Sequence, residues 1–258
     1  MIENEASATA ARMIMDADQD NTYPTFAYSV LDHYIDGDII TDKSSALIGT
    51  SSGIYAVMGD ETNDDFASRL LHEFKHREML NQRFTLFSSS ERWDRRIKEL
   101  FGAKLQRMPR YSFTFNEHRF MQSQRAGIPD GFRLNRTNKE SLEVNREFDA
   151  AYIRKYWGSV ERFADKGFGF FVTEHDVFAG ECVSIFSSEQ YAEIDIVTNP
   201  LYRGRGVAGC VAEAFILESL ERQITPRWDC DLHNIASIRL AQKLNFAAPE
   251  TYSLYVRK

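Results

Sequence analysis

Between Asn199 and Ala208 the chain reads Asn-Pro-Leu-Tyr-Arg-Gly-Arg-Gly-Val-Ala. Glycines and arginines alternate there, directly before an uninterrupted apolar helical pattern, and their types and spacing suit the holding of an anion. The first turn of any helix carries backbone N–H groups without internal partners, and the positive end of the helix dipole adds to their attraction for negative charge. Gly204 and Gly206 let the backbone approach a phosphate closely and take positive φ where needed. Arg203 and Arg205 supply charge to the phosphates or the solvent edge, and Ala208 keeps the helix surface small. The same stretch, taken alone, also suits an ordinary strand-to-helix connection. Neither a P-loop nor the ordered G-x-G-x-x-G dinucleotide fingerprint occurs.

Just upstream, "AEIDIVT" carries Glu193 and Asp195. Strand side chains alternate, so both carboxylates share one face and could look into a cleft. A carboxylate there could take a proton from a reacting group directly or through water, and repulsion between the two would raise one pKa toward the working range. Glu193 ranks first as proton acceptor, Asp195 second and Glu181, on the preceding strand, third. Each also fits a solvated strand residue or a salt-bridge partner. Cys182, Cys210 and Cys230 match no paired zinc spacing and suit small buried residues better than an acyl-carrying nucleophile. His72 and His76 stand four apart around Glu73, without a third ligand or an H-E-x-x-H pattern, so no metal site is expected. Glu117, His118 and Arg119 concentrate polar chemistry in "FNEHRFMQSQR", which suits either the lining of a substrate site or an interdomain hinge.

These residues need a scaffold. Residues 1 to 20 suggest a helix, "SALIGTSSGIYAVMGD" a pair of strands, and "DDFASRLLHEFKHREMLN" a helix with Asp64 and Asp65 at its start. "RFTLFS", "SSSERWDRRIKELFG" and "RYSFTF" predict strand, helix and strand. The pattern breaks up from Asn116 to about Thr137, where "AGIPDGFRL" carries glycine and proline, and a domain boundary is placed there, giving 1–125 and 126–258. The second half predicts a helical stretch holding two helices, the strands "FGFFVTEHD", "ECVSIFSS" and "AEIDIVT", a helix to about Arg222, a strand at "TPRWDCD", a helix at "NIASIRLAQKLN" and a last strand at "TYSLYVR". Consecutive strands suggest a meander, and the later alternation a parallel section in a mixed sheet. The fold class is therefore α/β with a mixed sheet. The two halves share a strand, break, helix, loop, aromatic-strand plan, which a duplicated fold with one half stripped of its ligand loop would explain.

With 258 residues, 43% of them hydrophobic, the chain can bury a full core. Its net charge of -7 argues against nucleic acid or an anionic membrane as partner and favours a cationic substrate. No apolar run approaches the roughly 18 residues a membrane span needs, the N-terminus reads as neither signal nor transit peptide, and the cysteine usage fits a reducing compartment, so a soluble cytoplasmic protein is expected.

Arg203-Gly204-Arg205-Gly206-Val207-Ala208 fits the R/Q-x-x-G-x-G/A motif of the GNAT acyltransferases, and "NIASIRLAQKLNF" is similar to that family's N-x-x-S-x-x-L-A-x-K-L-G-F segment. The flank "IVTNPLYRGRGVA" resembles the family's strand, proline, tyrosine and loop. The resemblance covers roughly residues 140 to 258. The long N-terminal region and "PRWDC" further resemble the zwittermicin-resistance-type branch. The resemblance implies a C-terminal GNAT fold behind an N-terminal α/β domain, itself a degenerate GNAT-like half if the repeat is real. It implies acetyl-CoA as cosubstrate, with its pyrophosphate on residues 203–208, its pantetheine along the backbone of Ile196 and Val197, and Asn234 near the pantetheine or the substrate amide. The family's thiolate-protonating tyrosine is replaced by Ala241, which leaves solvent, Tyr202 or Tyr252 for that task. The expected activity is N-acetyl transfer to a small, cationic amine by direct attack on the thioester, from a monomer or homodimer. A non-catalytic acyl-CoA sensor or scaffold, and a peptide or protein N-acetyltransferase, are the alternatives.

Overall fold

Capping residues and apolar periodicity set most element boundaries. The computed structural model describes residues 2–18, 21–88, 90–144 and 147–258. They divide into two compact units, Met1–Arg110 with Thr251–Lys258, and Tyr111–Glu250. The first carries α1 (Ile2–Ala17), α2 (Thr25–Leu31), β1 (Gly37–Thr41), β2 (Ser45–Thr50), β3 (Ile54–Gly59), α3 (Asp64–Met79), β4 (Thr85–Ser88), α4 (Glu91–Phe101) and the start of β5 (Leu105–Phe115). The second carries the rest of β5, α5 (Glu117–Gln122), β6 (Phe132–Arg136), α6 (Lys139–Leu142), α7 (Ala150–Trp157), α8 (Val160–Lys166), β7 (Gly169–Glu174), β8 (Val177–Ser187), β9 (Tyr191–Thr198), α9 (Val207–Glu221), β10 (Thr225–Asp231), α10 (Ile235–Lys243) and the start of β11 (Phe246–Arg257).

In the first unit the strands run β1-β2-β3-β4-β11-β5. β3 and β4 are parallel, and β11 closes antiparallel on β4 from Ser253 opposite Ser88 to Val256 opposite Thr85. Asn63 and Ser90 open α3 and α4 by accepting the Phe66 and Trp93 N–H groups, caps that each contribute about 1 kcal/mol. Phe66, Leu70 and Phe74 of α3 and Trp93, Ile97 and Phe101 of α4 recur at helical spacing and bury against Leu47, Tyr55, Phe84 and Leu86.

In the second unit the order is β5-β10-β9-β8-β7-β6. β6 to β9 form the expected antiparallel meander, and β10 joins β9 in parallel. α9 is buried along most of its surface, with Val211, Phe215 and Ile216 packed among Phe168, Val172, Cys182, Trp228 and Phe246. No helix among the described residues is long and apolar enough to cross a membrane.

The units divide differently from the expected 1–125 and 126–258. Phe115 and Phe120 pack at 5.4 Å between ring centres, Phe115 and Phe246 at 5.0 Å, and these rings belong to the second core. The second unit therefore begins at Tyr111, while the end of β11 belongs to the first because it completes the ladder of β4. The "broken" stretch from Asn116 holds α5 and β6. The expected repeat has a topological counterpart: β3-α3-β4-α4-β5 follows the same order as β9-α9-β10-α10-β11, each beginning with a parallel pair.

Candidate functional site

β9 and β10 pair only over Tyr191–Thr225, Ala192–Pro226 and Glu193–Arg227. β9 then continues to Thr198 and β10 to Asp231 without further pairing between them. The strands diverge after Glu193, and the backbone of Ile194–Thr198 on the β10 side is left to other partners. Those groups must be hydrogen-bonded by something, and a chain of amides such as pantetheine is one such partner.

The turn after β9 is built around Asn199. Its N–H donates to Ala179 O at 2.9 Å, its amide to Phe178 O at 3.2 Å, and its side-chain oxygen accepts the Leu201 N–H at 3.1 Å. Pro200 follows in a short helical turn to Tyr202. Gly204 and Gly206 both take positive φ, +78° and +83°, where a side chain would be strained. Gly206 is the N-cap of α9, and no side chain among the described residues caps that helix, so its first N–H groups suit an anion. α3, α4, α7, α8 and α10 each have a side-chain cap. Gly180 brings the helix close to the sheet: a Cβ there would stand 2.7 Å from Val207 Cγ1.

These elements enclose an open cavity of about 860 Å³, within the range of ligand sites. Ile196, Val197, Arg203, Gly204, Gly206, Val207, Ala208 and Asn234, all expected from the sequence, line it. Arg205 does not. Its guanidinium pairs with Glu174 and lies over the rings of Phe132 and Tyr202, at 4.6 and 5.3 Å. Arg203 makes no ion pair among the described residues. Asn234 caps α10 by accepting the Ser237 N–H at 3.1 Å, which leaves its amide NH2 as the group able to meet a ligand.

The sequence did not single out Lys243, Ser237 or the strap Ala126-Gly127-Pro129, which also line the cavity. Ser237, Leu240 and Lys243 recur at helical spacing, a signal available in the sequence once α10 was placed. The strap is held by Glu213, a buried α9 residue whose Oε2 accepts the Ala126 N–H at 2.7 Å. Arg125 stands 3.7 Å from the other oxygen of the same carboxylate.

On the opposite sheet face α7 packs against β8, and Tyr152 donates its hydroxyl to Asp195 Oδ2 at 2.5 Å. Burial first, and then Asp195, push the Tyr152 hydroxyl far above its ordinary value, so it stays a donor. Glu193 shares that face by strand alternation. Glu181 is fully buried, and its carboxyl is pushed up to about 7, chiefly by burial. Burial likewise raises the Cys182 and Cys210 thiols, the latter to about 11, which disfavours a thiolate nucleophile. Glu117, His118 and Arg119 are exposed on α5 and do not line the cavity. Ala241 is buried in the core, Tyr202 lines the cavity, and Tyr252 belongs to the first unit, accepting from Arg110 Nε at 3.0 Å.

A mixed α/β unit in which a splayed parallel pair faces an uncapped helix start is the arrangement that the resemblance to the GNAT acyltransferases implies. The GNAT acetyltransferase family model matches residues 12–255, across both units, and the chain belongs to that family. It is 40% identical over 240 residues to an uncharacterized N-acetyltransferase, YdfB, of Bacillus subtilis strain 168, covering 92% of this chain and 91% of that one. The GCN5-related N-acetyltransferase-like protein from Streptococcus suis 89/1591 shares the fold at a TM-score of 0.71 and 22% identity, covering 96% of this chain and 100% of that chain. A tandem GNAT protein from the clavulanic acid biosynthesis pathway shares it at 0.66 and 12% identity, covering 98% and 94%. The protein is an acyltransferase with the GNAT fold.

Proposed function

We propose that the protein transfers an acetyl group from acetyl-CoA to the amine of a small cationic acceptor, an amino compound or aminated antibiotic, by direct attack of the amine on the thioester. One observation carries this reading: the diverging part of β9, the uncapped start of α9, Arg203 and Asn234 all border a single cavity. The backbone of Ile196 and Val197 would hold the pantetheine. The N–H groups from Gly204 to Ala208 and the Arg203 guanidinium would hold the pyrophosphate, and the Asn234 amide would reach the pantetheine or the nascent amide. Glu193 and Asp195, on the α7-facing side at the point of divergence, would receive the ammonium group. The net charge of -7 favours a cationic acceptor over an anionic one. We read the protein as cytoplasmic, working as a monomer or homodimer on a small molecule, with no nucleic-acid or membrane partner.

Calorimetry with acetyl-CoA tests the cosubstrate. Wild type should bind, and Gly206→Trp, which fills the turn, should not. A folded wild type that does not bind acetyl-CoA would overturn the proposal. Once binding is shown, thiol release from acetyl-CoA across a set of amines identifies the acceptor class.

A further inference from the structure

Glu181, on β8, is a carboxylic acid with no exposed surface. Burying a carboxylate is costly unless good hydrogen bonds receive it, and a leucine of similar size would carry no such cost. What receives it here is backbone. Its Oε1 accepts the Phe148 N–H at 3.1 Å, and the Glu147 N–H bears on the same carboxylate. Hydrogen bonds to a charged oxygen are among the stronger ones a protein makes.

Glu147 and Phe148 stand directly ahead of α7, and that helix does not need Glu181 in order to start. Asp149 is its N-cap and accepts the Tyr152 N–H at 2.8 Å. The local cap makes the helix, and the grip from β8 sets where on the sheet it lies. At the other end of α7 the buried Trp157 donates its indole N–H at 3.0 Å to Ser184 O, also on β8. The helix is thus tied to one strand at both ends.

Between the two ties Phe148, Tyr152 and Tyr156 recur at helical spacing, with successive ring centres 4.7 and 4.9 Å apart. Tyr152 crosses to β9 and donates to Asp195 Oδ2 at 2.5 Å. Glu181 lies opposite Val197 and Val183 opposite Asp195, so Glu181 and Asp195 are diagonal neighbours on the sheet face that α7 covers. Any movement of the α7 entry away from β8 therefore draws the Tyr152 hydroxyl off Asp195, and a bond this short tolerates little of it. Tyr152, Glu193 and Asp195 are only half-buried, whereas Glu181 is sealed. Glu181 reaches a ligand only through the helix it holds.

We propose that Glu181 is a positioning residue: by gripping the backbone ahead of α7 it sets the Tyr152–Asp195 bond, which fixes the orientation of the Asp195 carboxylate. That the oriented carboxylate receives an ammonium group rests on the acetyl-transfer reading above. The coupling of Glu181 to Tyr152 does not depend on it.

The full-length protein is labelled with carbon-13 at the tyrosine Cζ atoms, and the resonance missing in Tyr152→Phe is that of Tyr152. Glu181→Gln keeps an oxygen for the Phe148 N–H and should leave this resonance near its wild-type position. Glu181→Leu removes the oxygen and should move it toward the position of a solvent-exposed tyrosine. Hydrogen exchange on wild type needs no variant: the Glu147 and Phe148 amides should exchange as slowly as the capped Tyr152 amide. With acetyl-CoA and n-butylamine, Glu181→Leu should raise the amine KM about tenfold, and Glu181→Gln should restore most of that loss. Both should bind acetyl-CoA as wild type does. Tyr152→Phe should raise the amine KM to a similar degree, and the double variant with Glu181→Leu no further, because the two act through one bond.

A Tyr152 resonance that stays at its wild-type position in Glu181→Leu would overturn the assignment, as would Glu147 and Phe148 amides that exchange like those of an open loop. A loss in Glu181→Leu that falls equally on acetyl-CoA affinity and amine KM, unrescued by Glu181→Gln, would overturn it too, since general loosening of the unit predicts that pattern. A wild type that binds no acetyl-CoA, or leaves n-butylamine unacetylated, counts against the acetyl-transfer reading instead, and the resonance and exchange measurements still decide the coupling.

Discussion

Glu174, at the end of β7, grips Arg205 with both carboxylate oxygens, one at 3.0 Å from Nη1, and the pair stacks the guanidinium over Phe132. The two arginines of the glycine-rich turn therefore have different tasks. Arg205 staples the turn to β6 and β7, and Arg203 is left at the cavity. Arg203→Ala should weaken acetyl-CoA binding roughly tenfold, the scale of one charge-assisted phosphate contact, and steepen no other defect. Arg205→Ala should weaken it less, and Glu174→Gln should reproduce the Arg205 effect because both act by loosening the same turn. Calorimetry at two salt concentrations separates them: the loss in Arg203→Ala should come with a reduced salt dependence, since a charge on the ligand has lost its partner.

Glu213 ties the strap over α9. Removing its carboxylate orphans the Ala126 N–H and frees Arg125, whose guanidinium also lies 4.1 Å from the centre of the Phe120 ring. Glu213→Ala should cost about 1–3 kcal/mol of stability and weaken acetyl-CoA binding by opening one wall of the cavity. Glu213→Gln keeps an oxygen for the Ala126 N–H and should retain most of both. Thermal melts beside calorimetry check this. An alanine variant with wild-type affinity would mean that the strap is not a wall of the binding site.

The strap also shows where sequence reading runs out. Gly127, Pro129 and Gly131 break any periodic pattern, and a glycine- and proline-rich break reads as a linker. What makes it a cavity wall is a carboxylate far along the chain on α9, a long-range contact no local pattern reports. The glycine-rich turn was legible because its chemistry is local: positive φ, an uncapped helix start and a preceding strand all lie within residues 191–208. That Arg205 stands off the cavity could not be read locally, because its partner Glu174 comes from another strand. β5 and β11 were seen as short aromatic strands because their other halves, Leu105–Pro109 and Phe246–Glu250, are too polar or interrupted for a period-2 signal.

The first unit repeats the strand and helix order of the second but not its turn. After β3 the chain reads Asp60-Glu61-Thr62-Asn63, and Asn63 caps α3 at Phe66 N. Asp64 and Asp65 occupy the first turn, and the Asp42 carboxylate accepts from Ser44 N, Ser45 N and the Asn63 amide. The N–H donors left open in the second unit's counterpart are capped here, and the added charge is negative. One acetyl-CoA should bind per chain. The calorimetric stoichiometry checks this directly, and Gly206→Trp should abolish all binding rather than half of it.

Glu181 should leave its mark on stability. Its folded carboxyl titrates at about 7 against an ordinary 4.5, with burial as the first cause. Below the ordinary value the group is protonated in both folded and unfolded chains and contributes no slope. Between the two values the unfolded chain has released the proton while the folded chain keeps it, so stability falls as pH rises, by about 3 kcal/mol at most. Glu73 and Glu218, held below their ordinary values by their hydrogen-bond and arginine partners against the cost of burial, contribute in the other sense and lose stability toward acid. The difference between wild type and Glu181→Gln isolates the one group. In urea denaturation, wild type should lose ground to Glu181→Gln from about pH 5 to about pH 8, most steeply near 6, and the gap should level off once the folded carboxyl is ionised. A gap that stays constant over that range would mean that Glu181 titrates alike in both states, and that burial does not raise its pKa.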